Sequence, residues 1–340
     1  MENNKVTIHS IAKELNIDSS TVSRALNDNS RVTQKTKDKI LKKANELGYQ
    51  RNLLASSLRN KKTNTIGVIV PRITRHFFSS AIGGIEETAY EAGYNVIICQ
   101  SLEELNREQK IANTLLANRV DGVLISISME TLDSEYLQIF KKNGTPLVFF
   151  DRHCDIPGNS NVVIDDFQGG FDATEHLIMQ GCKNIAHFSG PQALEIYKNR
   201  FKGYKYALEK HNIKFDDNLV ISSKLMEIDG VESAKKLLSQ TKDVDGIFSS
   251  NDTAAISALQ YLKGVGIIIP NDIAIVGFSN EPISSIIEPS LTTIDQPGFE
   301  MGKIAANLLL AQINNKPNTT LVETIILKPV LIVRNSSKKK

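Results

Sequence analysis

The stretch TIHSIAKELNIDSSTVSRAL, residues 7–26, decides how the first part of the chain folds. Its first half carries apolar residues at the spacing of one helical face, namely Ile8, Ile11, Ala12 and Leu15. Asn16 can adopt the left-handed conformation that ends a helix, and Asp18 can cap a second helix over residues 19–26. Two helices joined by so short a turn cross steeply, so the stretch predicts a helix-turn-helix.

A third helix is predicted over residues 34–47, after the capping residue Thr33 and before Gly48. In a helix-turn-helix protein, the N-terminal end of the second helix enters the major groove of DNA. The candidate DNA-contacting residues therefore lie on the exposed face of that helix, and they are Ser19, Ser20, Ser23 and Arg24. A three-helix bundle that serves only as a protein contact is the alternative.

The charge of the chain is concentrated at the same end. Residues 1–62 hold 13 Lys and Arg against 6 Asp and Glu, a net charge of +7, and the remainder carries −5. A basic head on a mildly acidic body is typical of a nucleic-acid-binding module joined to another domain. A basic head that is merely solvated is the other interpretation of the charge alone.

From residue 65 onward, short apolar runs alternate with amphipathic helical stretches. The predicted strands are 66–70, 94–99, 122–127, 147–150, 161–164, 185–189, 246–249, 273–278 and 291–294. Continuous Val and Ile runs joined by helices indicate parallel strands buried on both faces, and hence a doubly wound α/β fold. So many strands exceed the usual size of one sheet, so we predict two lobes with their seam near residues 151–161.

Ligands of such sheets bind beyond the carboxyl ends of the strands, which in a two-lobed body is the cleft between the lobes. Polar and aromatic residues follow several predicted strands, among them Arg75, Phe77, Phe78, Asp151, Arg152, Asn251, Ser279 and Gln296. Aromatic rings stack on the C–H faces of a sugar, and carboxylate, amide and guanidinium groups bind its hydroxyls. For Phe77 and Phe78 the alternative is a place in the core, and for Arg200 it is that of a surface cation. Asp252 is expected to cap the helix that follows it.

Composition and motifs argue against several other classes. The chain has 340 residues, of which 41% are hydrophobic and 23% charged, as in ordinary globular proteins. The polar start and the absence of a bilayer-length apolar run lead us to expect a cytoplasmic protein with no membrane contact. Cys99, Cys154 and Cys182 lack metal-ligand spacing, so we expect no metal. The sequence has no GxGxxG after its first strand, no P-loop, no HExxH and no GxSxG, so we expect neither a cofactor nor enzymatic activity.

Several motifs of the head match a known family. They are Val6-Thr7-Ile8, Ile11-Ala12, Thr21-Val22-Ser23-Arg24-Ala25-Leu26-Asn27, Val32-Thr33 and Ala44-Asn45-Glu46-Leu47-Gly48-Tyr49. Through them the head resembles the lactose-repressor/galactose-repressor (LacI/GalR) family of bacterial transcription regulators. The resemblance implies a DNA-binding domain over residues 1–50, with Asn27 among its DNA contacts. It also implies a hinge helix over residues 51–64, in which Leu58 wedges into the minor groove. A plain linker leucine is the alternative.

The body, residues 65–335, resembles the same family and the related periplasmic sugar-binding proteins. The residues that carry this resemblance include Ile66-Gly67-Val68, Gly84-Ile85-Glu86, Val120-Asp121-Gly122, Gly203-Tyr204, Asn251-Asp252 and Gly277-Phe278. The resemblance implies an effector-binding and dimerisation domain. Ser279 occupies the position at which the family commonly has an Asp that accepts hydrogen bonds from ligand hydroxyls. The predicted effector site consists of Phe77, Phe78, Asp151, Arg200, Asn251, Ser279 and Gln296.

These features together predict a sequence-specific transcriptional regulator, which we expect to be a repressor. It is expected to bind near-palindromic operator DNA as a homodimer, since one small head buries too little surface for tight specific binding. Its operator affinity is expected to depend on a small metabolite, a sugar or sugar derivative, bound between the lobes. A sugar-binding receptor without DNA function is the alternative, and it explains only the body.

Overall fold

The structure is a computed structural model that describes residues 6–28, 30–49, 62–132, 135–154, 156–241, 243–314 and 322–339. The described residues form two compact units, which are divided between Thr63 and Asn64. We call the first unit the head and the second the body. No helix among the described residues is long and apolar enough to cross a membrane.

The head contains three helices, α1 (Ile8–Leu15), α2 (Ser19–Leu26) and α3 (Gln34–Glu46). Its core is built on fully buried side chains from each helix, Ile11, Val22 and Ile40. The turn after α1 forms as predicted, because Asn16 adopts the left-handed conformation with φ 51°. The expected cap on α2 is wrong, since Asp18 is exposed to solvent and its carboxylate makes no capping hydrogen bond.

The first lobe of the body is a six-stranded parallel sheet with the order β11-β5-β4-β3-β1-β2. Its strands are β1 (Thr65–Val70), β2 (Asn95–Gln100), β3 (Gly122–Ile125), β4 (Leu147–Phe150), β5 (Ser160–Ile164) and β11 (Thr324–Leu327). Its helices are α4 (His76–Glu91), α5 (Leu105–Ala117), α6 (Gln138–Lys142) and α11 (Gly298–Asn314). The central strands β1, β3 and β4 are buried, as continuous apolar runs predict.

The second lobe repeats this arrangement in the order β12-β10-β9-β8-β6-β7. Its strands are β6 (Ile185–Ser189), β7 (Val220–Ser222), β8 (Gly246–Ser249), β9 (Ala274–Phe278), β10 (Thr292–Asp295) and β12 (Val330–Ile332). Its helices are α7 (Asp166–Met179), α8 (Glu195–Lys210), α9 (Glu227–Gln240) and α10 (Asp252–Gly264). All neighbours are parallel except β10 and β12, which pair antiparallel.

The predicted seam near residues 151–161 is wrong. Strand β5 pairs with β4 in the first sheet, so the chain leaves the first lobe only after Ile164. It returns between β10 and α11, and it crosses a third time between β11 and β12. Strands β7, β11 and β12 were absent from the predicted set, because each is a short edge strand that is incompletely buried.

Glycines allow close helix crossings in each lobe. In the first lobe, a Cβ on Gly84 of α4 would lie 2.0 Å from the Phe299 carbonyl oxygen of α11. In the second lobe, a Cβ on Gly170 of α7 would lie 2.3 Å from the Arg200 carbonyl oxygen of α8. The backbones of these helices therefore touch, and the crossing of α7 with α8 fixes where Arg200 enters the interior of the second lobe.

Replacing Gly84 with Ala is expected to lower the free energy of unfolding by about 1–3 kcal/mol, because the new methyl group must push α4 and α11 apart. Gly83 is the matched control, since its Cβ would meet only the Phe299 ring, at an ordinary 3.7 Å. There, Ala is expected to be neutral or to stabilise the helix by up to about 1 kcal/mol. Urea denaturation of both variants measures the difference, and equal stabilities would contradict the close crossing.

Candidate functional site

The exposed surface of α2 carries the predicted DNA-contacting residues of the head. Ser20, Arg24 and Asn27 are exposed, and Ser19 and Ser23 are partly exposed. Asn27 Nδ2 donates to the Ser23 carbonyl oxygen at 2.6 Å, which ties the end of α2 together. Arg24 carries the long donor of this surface, and its guanidinium can reach a base edge. Leu58 lies outside the described residues.

A contact between His9 of α1 and Ser19 of α2 was not predicted from the sequence. The His9 Nδ1 atom, at the start of α1, lies 2.8 Å from Ser19 Oγ. This contact fixes the Ser19 hydroxyl at the N-terminal end of α2. A helical pattern places His9 beside Ile8 and Ile11 but does not show which residue of the next helix it meets.

The body contains a cleft that opens to solvent between the two lobes. All seven predicted effector residues line this cleft, namely Phe77, Phe78, Asp151, Arg200, Asn251, Ser279 and Gln296. They come from the N-terminal end of α4, the middle of α8 and the carboxyl ends of β4, β8, β9 and β10. The cleft therefore joins residues of both lobes at the carboxyl ends of their strands, where ligands of such sheets bind.

Arg200 is buried at the centre of this arrangement. Its Nε donates to Asp166 Oδ1 at 2.7 Å, and its Nη1 donates to the Ser250 carbonyl oxygen at 2.7 Å. Its guanidinium carbon lies 3.6 Å from the centroid of the Phe278 ring, so the guanidinium stacks on that ring. The surface-cation interpretation of Arg200 is therefore wrong. The residue is a fixed, charged part of the cleft wall.

Asp151 lies on the other side of the cleft, at the carboxyl end of β4. Its backbone has the left-handed conformation, with φ 61°, and its side chain is buried. Ser126 Oγ donates to Asp151 Oδ2 at 3.3 Å. Burial raises the pKa of Asp151, and the guanidinium groups of Arg152 and Arg200 oppose this rise.

Arg152 also lines the cleft, although the predicted effector set omitted it. Its Nη1 donates to Glu103 Oε2 at 2.9 Å, and its Nε is buried without a hydrogen-bond partner. Gln296 Nε2 is likewise buried without a partner. Arg152 directly follows Asp151 at the end of a strand, which is why it was among the strand-end candidates. These two orphan N–H groups can each donate to a ligand oxygen.

Asn251, not Asp252, caps helix α10. Asn251 caps α10, because its Oδ1 accepts from the Ala254 N–H at 2.8 Å while its Nδ2 donates to the Leu225 carbonyl oxygen. Asp252, expected to be the cap, instead accepts from Thr293 Oγ1 at 2.6 Å and from the Glu281 N–H at 2.8 Å. Burial raises the pKa of Asp252 to about 7.

His187, in strand β6 of the second lobe, has a structural role. His187 is fully buried between the rings of Tyr204 and Phe248, at centroid distances of 4.9 and 4.8 Å. Burial lowers its pKa to about 3, so it remains neutral. No histidine, cysteine or lysine is found among the described residues that line the cleft. Across the described part of the chain, no group of three acidic, histidine or cysteine side chains could hold a metal ion.

Comparison with known proteins agrees with both units. The family model described as "Bacterial regulatory proteins, lacI family" matches residues 7–52. The model described as "Periplasmic binding protein-like domain" matches residues 174–337. These matches confirm the predicted helix-turn-helix head and the two-lobed α/β body.

Full-length relatives extend the similarity to the whole chain. The HTH-type transcriptional regulator DegA of Bacillus subtilis (strain 168) is 33% identical over 334 residues, which are 98% of each chain. The ribose operon repressor of Halalkalibacterium halodurans is 34% identical and covers 98% of this chain and 97% of its own. A solved structure titled "transcriptional regulator CelR-cellobiose complex" is 28% identical, with a TM-score of 0.75, and covers 97% of this chain and 99% of its own. The chain belongs to the lacI family of bacterial regulatory proteins, whose members are DNA-binding transcriptional regulators.

Proposed function

We propose that this chain is a homodimeric repressor that binds near-palindromic operator DNA. A small polyhydroxylated metabolite bound in the cleft controls its affinity for that DNA. The observation that carries this proposal is the convergence of the seven predicted effector residues, from both lobes, on one cleft. The names of two similar proteins point the same way. One is a ribose operon repressor, and the other is a regulator in complex with cellobiose.

The cleft acts on the head through closure of the lobes. A ligand shifts an equilibrium only by the difference in its affinity for the two states, so it must favour one degree of closure. Its contacts come from both lobes, with Phe77 and Asp151 on one side and Arg200 and Asn251 on the other. Three chain crossings join the lobes, so closure bends all of them together. In a dimer, this motion changes the spacing of the two segments that precede Asn64.

Exposed apolar side chains on the second lobe support dimer formation. Ile283 and Ile286, in the turn after β9, are 51% and 79% exposed. Lys263 Nζ of α10 donates to the Glu288 carbonyl oxygen, which holds this turn against the end of α10. Val265, directly after α10, is also exposed. A second copy of the chain would remove these side chains from water.

The lining of the cleft supports binding without catalysis. The nucleophiles and bases common in enzymes include histidine, cysteine and lysine, and none of the described lining residues belongs to these types. Asp166 and Asp252 are occupied by hydrogen bonds from the protein itself. We therefore propose that the protein changes the occupancy of DNA and does not convert its ligand.

One experiment tests the proposed function as a whole. Operator DNA is first selected from a random pool by the purified chain. A panel of sugars and sugar derivatives is then screened by thermal shift, and each ligand that raises the melting temperature is tested in a gel shift with the selected operator. A ligand that changes operator affinity supports the proposal. Failure to select any DNA sequence contradicts it.

Replacing Arg24 with Ala is expected to cost about 1–3 kcal/mol of binding free energy at one operator position and to relax base preference there. The reason is that a guanidinium can donate two parallel hydrogen bonds to a guanine edge. Arg24→Lys is the matched control, because it keeps the charge and loses the paired donors. Gel shifts against operators with single base changes measure the effect. Equal weakening at every sequence would show a phosphate contact instead.

Replacing Arg200 with Ala is expected to remove about 2–4 kcal/mol of effector binding free energy and to leave operator affinity without effector unchanged. The ligand found in the thermal-shift screen is measured by calorimetry. Because Arg200→Ala strands the buried Asp166 carboxylate, the double variant with Asp166→Asn serves as the control for folding. The double variant should regain stability and still bind effector weakly. Undiminished effector affinity in either variant would show that the effector binds at another site.

A further inference from the structure

Three guanidinium groups, those of Arg75, Arg152 and Arg200, belong to the described lining of the cleft. Arg152 and Gln296 are 7% and 8% exposed, and each has a buried N–H group without a hydrogen-bond partner in the protein, although the Arg152 Nε also lies 3.8 Å from Asp151 Oδ2. A buried donor without an acceptor is unfavourable, so both groups favour a ligand that supplies acceptor oxygens. Arg152 lies beside α4, with its guanidinium carbon 5.9 Å from the centroid of the Phe78 ring.

Arg75 adds a third donor at the same wall of the cleft. It directly precedes α4 and lines the cleft, and its guanidinium reaches across to the second lobe. There it contacts Thr253 Oγ1 and, at 3.8 Å, Met226 Sδ. Both partners are neutral. The guanidinium of Arg75 thus differs from those of Arg152 and Arg200, which are paired with Glu103 and Asp166.

The start of α4 adds to the positive potential around Arg75. Helix α4 begins there with no side-chain cap, so its first N–H groups lack a capping acceptor. Thr253 lies in the first turn of α10, and Met226 directly precedes α9. Because Asn251 caps α10 and the first turn of α9 holds Glu227 and Asp229, the positive partial charge at this guanidinium comes from α4.

The acidic groups of the cleft do little to offset this charge. Both oxygens of Asp252 accept hydrogen bonds from the protein, and Asp166 is held by Arg200. Burial raises the pKa of Asp252 to about 7 and also raises the pKa of Asp151. These carboxyls are thereby shifted toward their neutral form, while the guanidinium groups stay charged. The carboxylates of Asp151 and Glu281 are the acceptors that remain on the lining.

We propose that the effector carries an oxyanion, either a carboxylate or a phosphate, on a polyhydroxylated skeleton, and that Arg75 and Arg152 select for it. This inference rests on the proposed function, and it names the class of ligand for the same cleft. Each hydroxyl of a neutral sugar needs a protein acceptor for its hydrogen, whereas an oxyanion only accepts. Ser279 follows β9 on the cleft lining and has no carboxylate, so this position also lacks a negatively charged acceptor for a sugar hydroxyl.

Matched pairs of ligands test the inference. Glucose is compared with glucose 6-phosphate and glucuronate, and ribose is compared with ribose 5-phosphate, by calorimetry on the full chain. At least one anionic probe is expected to bind about tenfold or more tightly than its neutral twin. The phosphate and carboxylate arms show which oxyanion is preferred. Arg75→Gln is expected to weaken binding of the anionic probe about tenfold more than binding of its neutral twin, so that the preference is lost.

Arg72→Gln is the matched control, because Arg72 lies in the same loop and carries the same charge but does not line the cleft. That variant should keep the preference for the anionic probe. Equal or tighter binding of the neutral twin overturns the inference, as does a preference that survives in Arg75→Gln or a panel in which no anionic probe binds. A neutral sugar that binds and alters operator affinity would leave the proposed function standing. Loss of all operator binding would instead count against the proposed function.

Discussion

The buried ion pair between Arg200 and Asp166 is the interaction on which the second-lobe wall of the cleft depends. It joins α8 to the first turn of α7, and through the Ser250 carbonyl and the Phe278 ring it also fixes β8 and β9. The pair can form because Gly170 and Gly203 let the two helix backbones touch. A larger residue at either position would move the guanidinium away from the ring.

A buried pair of this kind is weak evidence for stability, because desolvation of both ions costs several kcal/mol. In this fold the pair matters because it fixes the position of the Arg200 guanidinium. The hydrogen bonds of Arg200 to Asp166 and Ser250 hold its guanidinium over the Phe278 ring, where Arg200 forms part of the cleft lining. A ligand therefore meets a guanidinium whose conformational entropy is already lost, which favours tight binding.

The sequence predicted the parts of the fold and site that depend on local pattern. The three head helices, the nine strands of the predicted set and six of the seven effector residues follow from periodicity and from the position of strand ends, whereas Arg200, which lies within α8, was implied by the family resemblance. What it did not predict depends on pairing between distant segments. The seam was misplaced because nothing local in β5 shows that its neighbour is β4. Asp252 was expected to cap α10, and its partners Thr293 and Glu281 come from a later part of the chain.

Arg75 and Arg152 were among the strand-end candidates, but neither was placed in the predicted effector set. The role of each depends on what stands opposite it in the folded chain. Two cleft residues, Asp151 and Ser279, hold backbone conformations with positive φ at the ends of β4 and β9. Such conformations cost roughly 1–3 kcal/mol each and persist only where the surroundings fix them. One lies on each lobe, so both walls of the cleft store strain at the point where a ligand must bridge them. The body therefore gives up stability in both lobes to keep its ligand contacts in place.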